Sequence, residues 1–430
     1  MTHQANSKFT SSDDFVLDTE SEAFTRDPYP TYAWLRENAP VYYWPQKDTV
    51  VLSRFDDLRS FFVGDHLSTN IHDWEHHPGM GIYEQPGFEG FAKIHRNSFF
   101  NIPQADHARI RKLTSVALTP RAVRRMKQHI VDIVDRNLDE LIASGDEVVN
   151  LRPFADAIPL AVICDLIGVP EELRKDFRVA GQAVLRSIQP TNSPEELAAT
   201  AVNLNGAVAL VEKMLTDRRA DPNPPDDLLT DFIQANEDGD RLSDDELVMI
   251  IFGLITAGSD TTVHAICYAT RSLLLHPEAL AELQADRSLL RSAAEETLRW
   301  DSFGKVGLFH YAREDMEMGG VPVRKGQAVA VAMGAAFRDD KAYERADEFD
   351  IHRDYSGSLV FGLGRHFCLG ANLARAELMQ AIETLLLDRF PAAKLAGDVE
   401  FDVSNPVMRP MTNLPIRLGP DHGKKTEASA

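Results

Sequence analysis

At 430 residues the chain is long enough for two or three domains, yet no linker rich in Pro, Gly or Ser separates its helical blocks, so one large domain is expected. With 45 Lys and Arg against 66 Asp and Glu it carries a net charge of −21, which argues against nucleic acid as a partner, and 44% hydrophobic residues can build a sizeable core. Cys164, Cys267 and Cys368 form no CxxC pair, which argues against a disulfide framework or zinc site and suits a reducing cytoplasmic compartment.

In chain order, Met1 to Phe15 and Asp421 to Ala430 read as flexible ends around a body spanning residues 16–420. Met1 to Glu22 is polar and acidic, so no signal peptide and no membrane anchor are expected. After Asp27-Pro28-Tyr29-Pro30 and a helix, Val41-Tyr42-Tyr43 and Thr49-Val50-Val51-Leu52 alternate like a strand pair. His72-Asp73-Trp74-Glu75-His76-His77 offers metal-ligand types at helical spacing, but Pro78, Gly79, Gly81, Gly87 and Gly90 read as one long loop. His107 and Arg111 stand at i and i+4, so both leave one helix face and suit a carboxylate, or simply make a basic surface helix. From His107 to Val131 there are seven basic residues and no acidic one. Leu138, Leu141 and Ile142 show the helical spacing of most apolar positions, so the class is mainly α with minor β.

Ser243-Asp244-Asp245-Glu246 has the form of a capping box, and the apolar run behind it can continue to Leu275, where His276-Pro277 resists helix. Its middle, Ala257-Gly258-Ser259-Asp260-Thr261-Thr262, buries polar groups and loses helix propensity, which something must compensate. A kinked core helix whose hydroxyls bond back to carbonyls is one explanation. Glu296 and Arg299 lie three apart on a helix expected to begin near Arg287, a pairing that is ordinary on a surface.

Phe361-Gly362-Leu363-Gly364-Arg365-His366-Phe367-Cys368-Leu369-Gly370 precedes a helix-forming run from Ala371 to Phe390. A thiolate in a glycine-rich loop at a helix N-terminus sits where the dipole and unpaired N–H groups favour negative charge, and such a thiolate is a good axial ligand for heme iron. The alternative is a buried structural cysteine beside a tight turn. The glycines would let the backbone lie flat against a large planar ligand.

This loop resembles the heme-binding signature of the cytochrome P-450 family, and the resemblance extends from Asp27 to Leu418. It implies a single helical domain with small antiparallel sheets around a buried heme b. Cys368 would be the iron ligand. Phe361, Gly362, His366 and Gly370 would belong to its loop, with His366 able to reach a propionate alongside His107, Arg111 and His310. Ala257 and Gly258 would lie over the heme, Asp260 and Thr261 would relay protons to dioxygen, and Glu296 with Arg299 would be structural. The family's third partner for that pair is an arginine, where this chain has Glu348; Arg353 or His352 are the candidates. Phe88, Phe91, Ile94, Phe99 and Phe100 would line a lid or pocket, with Leu308, Phe309 and Met411 carried over by position.

The implied activity is hydroxylation or epoxidation of a small hydrophobic substrate by a heme-thiolate monooxygenase of the soluble bacterial kind, using dioxygen. No GxGxxG and no further cysteine cluster supply electrons, so separate ferredoxin and NAD(P)H-dependent ferredoxin reductase partners are implied, the basic run being either their dock or a solvated face. A peroxide-driven peroxygenase and a non-catalytic heme sensor or ligand carrier are the alternatives. Substrate scaffold and oligomeric state are not legible.

Overall fold

The computed structural model describes residues 15–77, 81, 84–115, 118–187, 194–237 and 240–424. Its helices in chain order are α1 (Glu22–Arg26), α2 (Tyr29–Asn38), α3 (Phe55–Val63), α4 (Glu89–Arg96), α5 (Gln104–Ser115), α6 (Pro120–Arg125), α7 (Lys127–Ile142) and α8 (Arg152–Ile167). They continue with α9 (Arg174–Ser187), α10 (Pro194–Ala220), α11 (Leu228–Gln234), α12 (Asp244–Leu275), α13 (Pro277–Ala285), α14 (Leu290–Trp300), α15 (Met333–Ala336) and α16 (Ala371–Ile382).

The long helix α12 is the spine. Ser243 Oγ accepts from Glu246 N at 3.3 Å while Glu246 returns to Ser243 N at 2.7 Å, the reciprocal cap read from the sequence. The helix ends at Leu275, before His276 and Pro277. Apolar side chains on most of its faces let it pack on α8, α9, α10, α14 and α16 at once. It is the one helix among the described residues long and apolar enough to cross a membrane, and 56% of that window is buried in the fold.

The main sheet pairs Val41–Trp44 antiparallel with Thr49–Leu52, which runs parallel to Ala328–Val331. That strand pairs antiparallel with Gly307–Ala312, whose outer neighbour is Leu67–Ser68. All of Thr49–Leu52 is buried. Its alternation sorts side chains between two apolar clusters, Val51 with Trp34 and Ala330, and Val50 and Leu52 with Phe61 and Val329.

Three expectations change. The first end is anchored at Phe15, which stacks on Trp34 at 3.8 Å, and the last at Asp421, which accepts from Arg389 at 2.7 and 2.6 Å. Residues 1–14 and 425–430 of the expected flexible ends, with Pro78 and Gly79 of the expected loop, lie outside the described residues. Gly90 is helical, inside α4, where a Cβ would come within 2.7 Å of Asn205 on α10; this glycine permits close helix packing. The run after Cys368 is α-helical only to Ile382, then winds as a π-helix over Glu383–Arg389, whose region is held by Gln284 on Leu386 and Pro391 carbonyls and Arg287 on the Leu387 carbonyl.

Candidate heme site

The Cys368 loop closes on itself, Cys368 N donating to Phe361 O at 2.9 Å. Gly362 and Gly364 adopt φ of +75° and +70°, left-handed values that favour glycine. The surface they approach is the end of α3: a Cβ on Gly364 would lie 3.3 Å from Phe62 O, and one on Gly362 3.6 Å from the Phe62 ring. Arg375 of α16 lies 4.0 Å from the Phe361 ring centre and is held by Glu295. Burial pushes the Cys368 thiol up, against the Gly370 N–H, Arg111 and Arg375, which lower it. The helix-terminus effect expected from sequence is therefore present and outweighed by desolvation in the protein alone.

Beside the loop the chain gathers nitrogen donors. His107 and Arg111 leave the same face of α5, and Arg111 donates to the Phe367 carbonyl. His366 lies 4.6 Å from the His107 ring and accepts from Arg365 Nε at 3.1 Å. His310 stacks on Phe61 at 3.8 Å. Burial, then Arg365, pushes His310 down to about 4; burial, then His107 and Arg365, pushes His366 down to about 3. His107 is lowered by burial and by Arg111 and Arg365. Three imidazoles whose charged forms burial disfavours and two guanidinium groups thus share one positive field in which, among the described residues, no carboxylate takes part, an environment suited to a dianionic ligand such as a pair of heme propionates. Arg365, not among the expected site residues, stands inside the same loop as its one permanent cation.

On α12, Thr261 Oγ1 bonds back to Ala257 O at 2.6 Å, and Ser259 does the same to Ile255 O. Ala257 is exposed midway along α12, and Thr261 lies one turn along the same face. Gly258 differs from expectation: a Cβ there would meet only Ile163 on α8, at 4.0 Å, so it faces the helix interface. Burial raises the Asp260 carboxyl, with Arg152 and Arg178 opposing and Asp156 reinforcing.

The expected pocket residues divide. Phe88, Phe91 and Ile94 are buried where α4 packs on α10 and α12. Phe99 lies 4.0 Å from where a Gly253 Cβ would be and sets its edge to His107 at 5.6 Å, while Phe100 stacks on His366 at 5.5 Å. Leu308 sits at φ +56° beside a bulge and is 47% exposed, with its side chain uncovered by the core. Phe309 packs instead against the N-terminal cluster with Trp34, on the strand face opposite to His310, which stacks on Phe61 of the other cluster. Met411 is wholly buried in the main core, and its carbonyl holds Arg152.

Arg299 is wholly buried, donates to both Glu296 oxygens at 2.7 and 2.9 Å, and spends its other donors on the carbonyls of Phe337, Ala346 and Glu348. Arg353 supplies the third member, 3.5 Å from Glu296, whereas His352 turns to Glu282. Among the described residues, no group of three metal-ligand side chains comes from the histidine-rich 72–77 segment alone. Glu75 and His76 meet Asp48, and the Arg324 guanidinium already binds both carboxylates at 2.7 and 2.9 Å.

The cytochrome P450 family model matches residues 194–410. The epothilone C/D epoxidase of Sorangium cellulosum is 34% identical over 92% of this chain and 94% of its own length. The 6-deoxyerythronolide B hydroxylase of Saccharopolyspora erythraea is 36% identical over 94% and 99%. The epothilone B-bound cytochrome P450epoK superimposes with a TM-score of 0.85 at 33% identity, over 95% of this chain and all of that one. With the thiolate loop, the donor cluster and the acid-alcohol turn of α12 in one fold, the chain belongs to the cytochrome P-450 family of heme-thiolate monooxygenases.

Proposed function

We propose that Cys368 would supply the thiolate ligand of heme b in this monooxygenase and that His107, Arg111, His310, Arg365 and His366 would hold its propionates. The cluster of imidazoles and guanidiniums beside the Cys368 loop, which no carboxylate joins among the described residues, carries this reading. When bound, heme supplies the iron centre that activates dioxygen, and a thiolate ligand favours O–O cleavage. Gly370 N–H, Arg111 and Arg375 stabilise the sulfur's negative charge. Thr261, anchored on the Ala257 carbonyl, presents its hydroxyl beside the exposed Ala257 surface, and Asp260 holds the proton that the hydroxyl passes on. Phe99, Phe100 and Leu308 exclude water there and meet the substrate. An intact acid-alcohol pair favours dioxygen over peroxide, since peroxide brings its own protons.

The substrate belongs to the same proposal: a hydrophobic molecule of the kind named for the two relatives, epothilone-like or 6-deoxyerythronolide B-like, which is oxidised by hydroxylation or epoxidation. Electrons arrive from separate partners, and we assign these to a ferredoxin and its NAD(P)H-dependent reductase in the cytoplasm. The exposed Lys112, Arg121, Arg124, Arg125 and Lys127 form a basic face for an acidic partner. Titrating the purified holoprotein with epothilone D, 6-deoxyerythronolide B and a long-chain fatty acid, read by the heme Soret band, tests the substrate reading. A shift with either of the first two at micromolar concentration supports it, and a shift with the fatty acid alone overturns it.

A further inference from the structure

Lys305 is wholly buried just before Gly307–Ala312, the strand that carries His310. Its backbone N donates to Val407 O at 2.8 Å, its carbonyl accepts from Tyr32 Oη at 3.0 Å, and its Nζ donates to Asn405 O at 2.9 Å and Val403 O at 3.4 Å. Among the described residues no carboxylate pairs with the ammonium. Burial, then Arg409, lowers it from the ordinary 10.5 to about 8, against Asp402, Glu20 and Asp18. A buried charge costs stability unless hydrogen bonds compensate, and here the compensation comes from the carbonyls of one turn. That turn closes the hairpin of Glu400–Phe401 and Met411–Asn413. Asn405 Oδ1 accepts from Val407 N at 3.1 Å and Met408 N at 2.9 Å, and Met408 bridges to Gly304. Val407 is thereby set against the strand end: a Cβ on Gly307 would lie 3.8 Å from Val407 Cβ. The next residue is Leu308, whose side chain the core leaves uncovered.

We propose that Lys305 is a positioning residue for the substrate: its buried ammonium holds the Val403–Met408 turn so that Val407 and Leu308 form one apolar ledge against which the hydrophobic substrate is placed. The inference rests on the reading that Leu308 meets the substrate, and deepens it. Lys305 itself touches no substrate. Without its ammonium the Val403 and Asn405 carbonyls lose their donor, and the turn loses its fixed place beside Gly307. A ligand long enough to reach the ledge then loses a surface, whereas a ligand held by the iron alone loses nothing.

The test titrates the ferric holoprotein with two iron-binding azoles, read by the Soret band: imidazole, which the iron holds alone, and clotrimazole, an imidazole carrying a bulky triphenylmethyl group. Lys305→Met should weaken clotrimazole by about 5- to 10-fold, the scale of one net hydrogen bond, and leave imidazole within about twofold of the parent. Val407→Ala and Asn405→Ala, which alter the turn at half-buried positions, should show the same split. Lys305→Met combined with Val407→Ala should cost less than the two losses added together, as for groups that act through one contact. Equal losses for both azoles in Lys305→Met, as from a loosened core, overturn the proposal. So does a parental clotrimazole affinity in Lys305→Met or, should that variant fail to take up heme, in Asn405→Ala. The site reading beneath the proposal fails with its own mark, a Leu308→Ala protein that binds clotrimazole like the parent.

Discussion

Arg353 Nε lies 3.5 Å from Glu296 Oε2, completing a buried cluster in which the neighbouring Glu348 contributes only its backbone carbonyl. Glu296 also accepts from Tyr355 at 2.5 Å and from Asp350 N at 2.6 Å, so the carboxylate ties α14 to the segment leading toward the Cys368 loop. Glu296→Ala strands the fully buried Arg299 and should destabilise by about 3–5 kcal/mol. Arg353→Ala should cost about 1–3 kcal/mol. Glu348→Ala, whose side chain reaches only the exposed Arg345, should stay within about 0.5 kcal/mol. Urea denaturation with heme content measured alongside checks all three. A Glu348→Ala cost matching that of Arg353→Ala would assign the third role wrongly.

Thr261→Ala and Asp260→Asn should keep heme and substrate binding while slowing product formation by about 10²-fold or less, the range of a lost proton-transfer group. The alanine variant should divert NAD(P)H to peroxide, because Thr261's hydroxyl is held toward the site by the Ala257 carbonyl. Product formed per NAD(P)H consumed is the measurement. Wild-type coupling in both variants would remove the pair from proton delivery.

Glu377 on α16 is wholly buried, its Oε2 has no hydrogen-bond partner, and burial pushes its carboxyl up from the ordinary 4.5 to about 8. Between those values the folded protein holds a proton that the unfolded chain releases, so this group's stabilisation falls as pH rises from about 4.5 to about 8, each unit of separation being worth about 1.4 kcal/mol. Glu377→Gln should flatten that part of the stability profile and should melt higher than the parent near pH 8. Parallel melting-temperature profiles from pH 5 to pH 8.5 would show that Glu377 titrates normally.

The elements legible beforehand are those written in local signals. Ser243 with Glu246 marked one end of α12 and His276-Pro277 the other, while the paired strands at 41–44 and 49–52 announced themselves by alternation. The Cys368 loop carried its own chemistry in ten consecutive residues. Features set by distant partners were less legible. Gly90 read as loop until Asn205 of α10 supplied the reason for its missing side chain. Phe309 was carried over to the pocket by position, but alternation with His310 puts it on the strand face of the N-terminal cluster.

Charge reversal at Arg124 and Arg125, exposed at the end of α6 and without a role in the donor cluster, should slow ferredoxin-driven reduction while leaving the heme spectrum and dithionite reduction unchanged. The parental rate should also fall steeply with salt, because exposed charges are screened within about 10 Å at 0.1 M. Stopped-flow reduction against ionic strength checks both. A rate insensitive to salt and to the reversals would remove this face from electron delivery.

The central claim is that Cys368 thiolate is the iron ligand, and the spectrum of the reduced, carbon monoxide-bound protein tests it most directly. A thiolate trans to carbon monoxide moves the Soret band far to the red, so the parent protein should show the band from which the family takes its name. Cys368→His should bind heme without that band, and Cys368→Ala should lack it as well. Persistence of the red-shifted band in Cys368→Ala would contradict the account, because Cys164 or Cys267, both buried in the helical core, would then have to be the ligand.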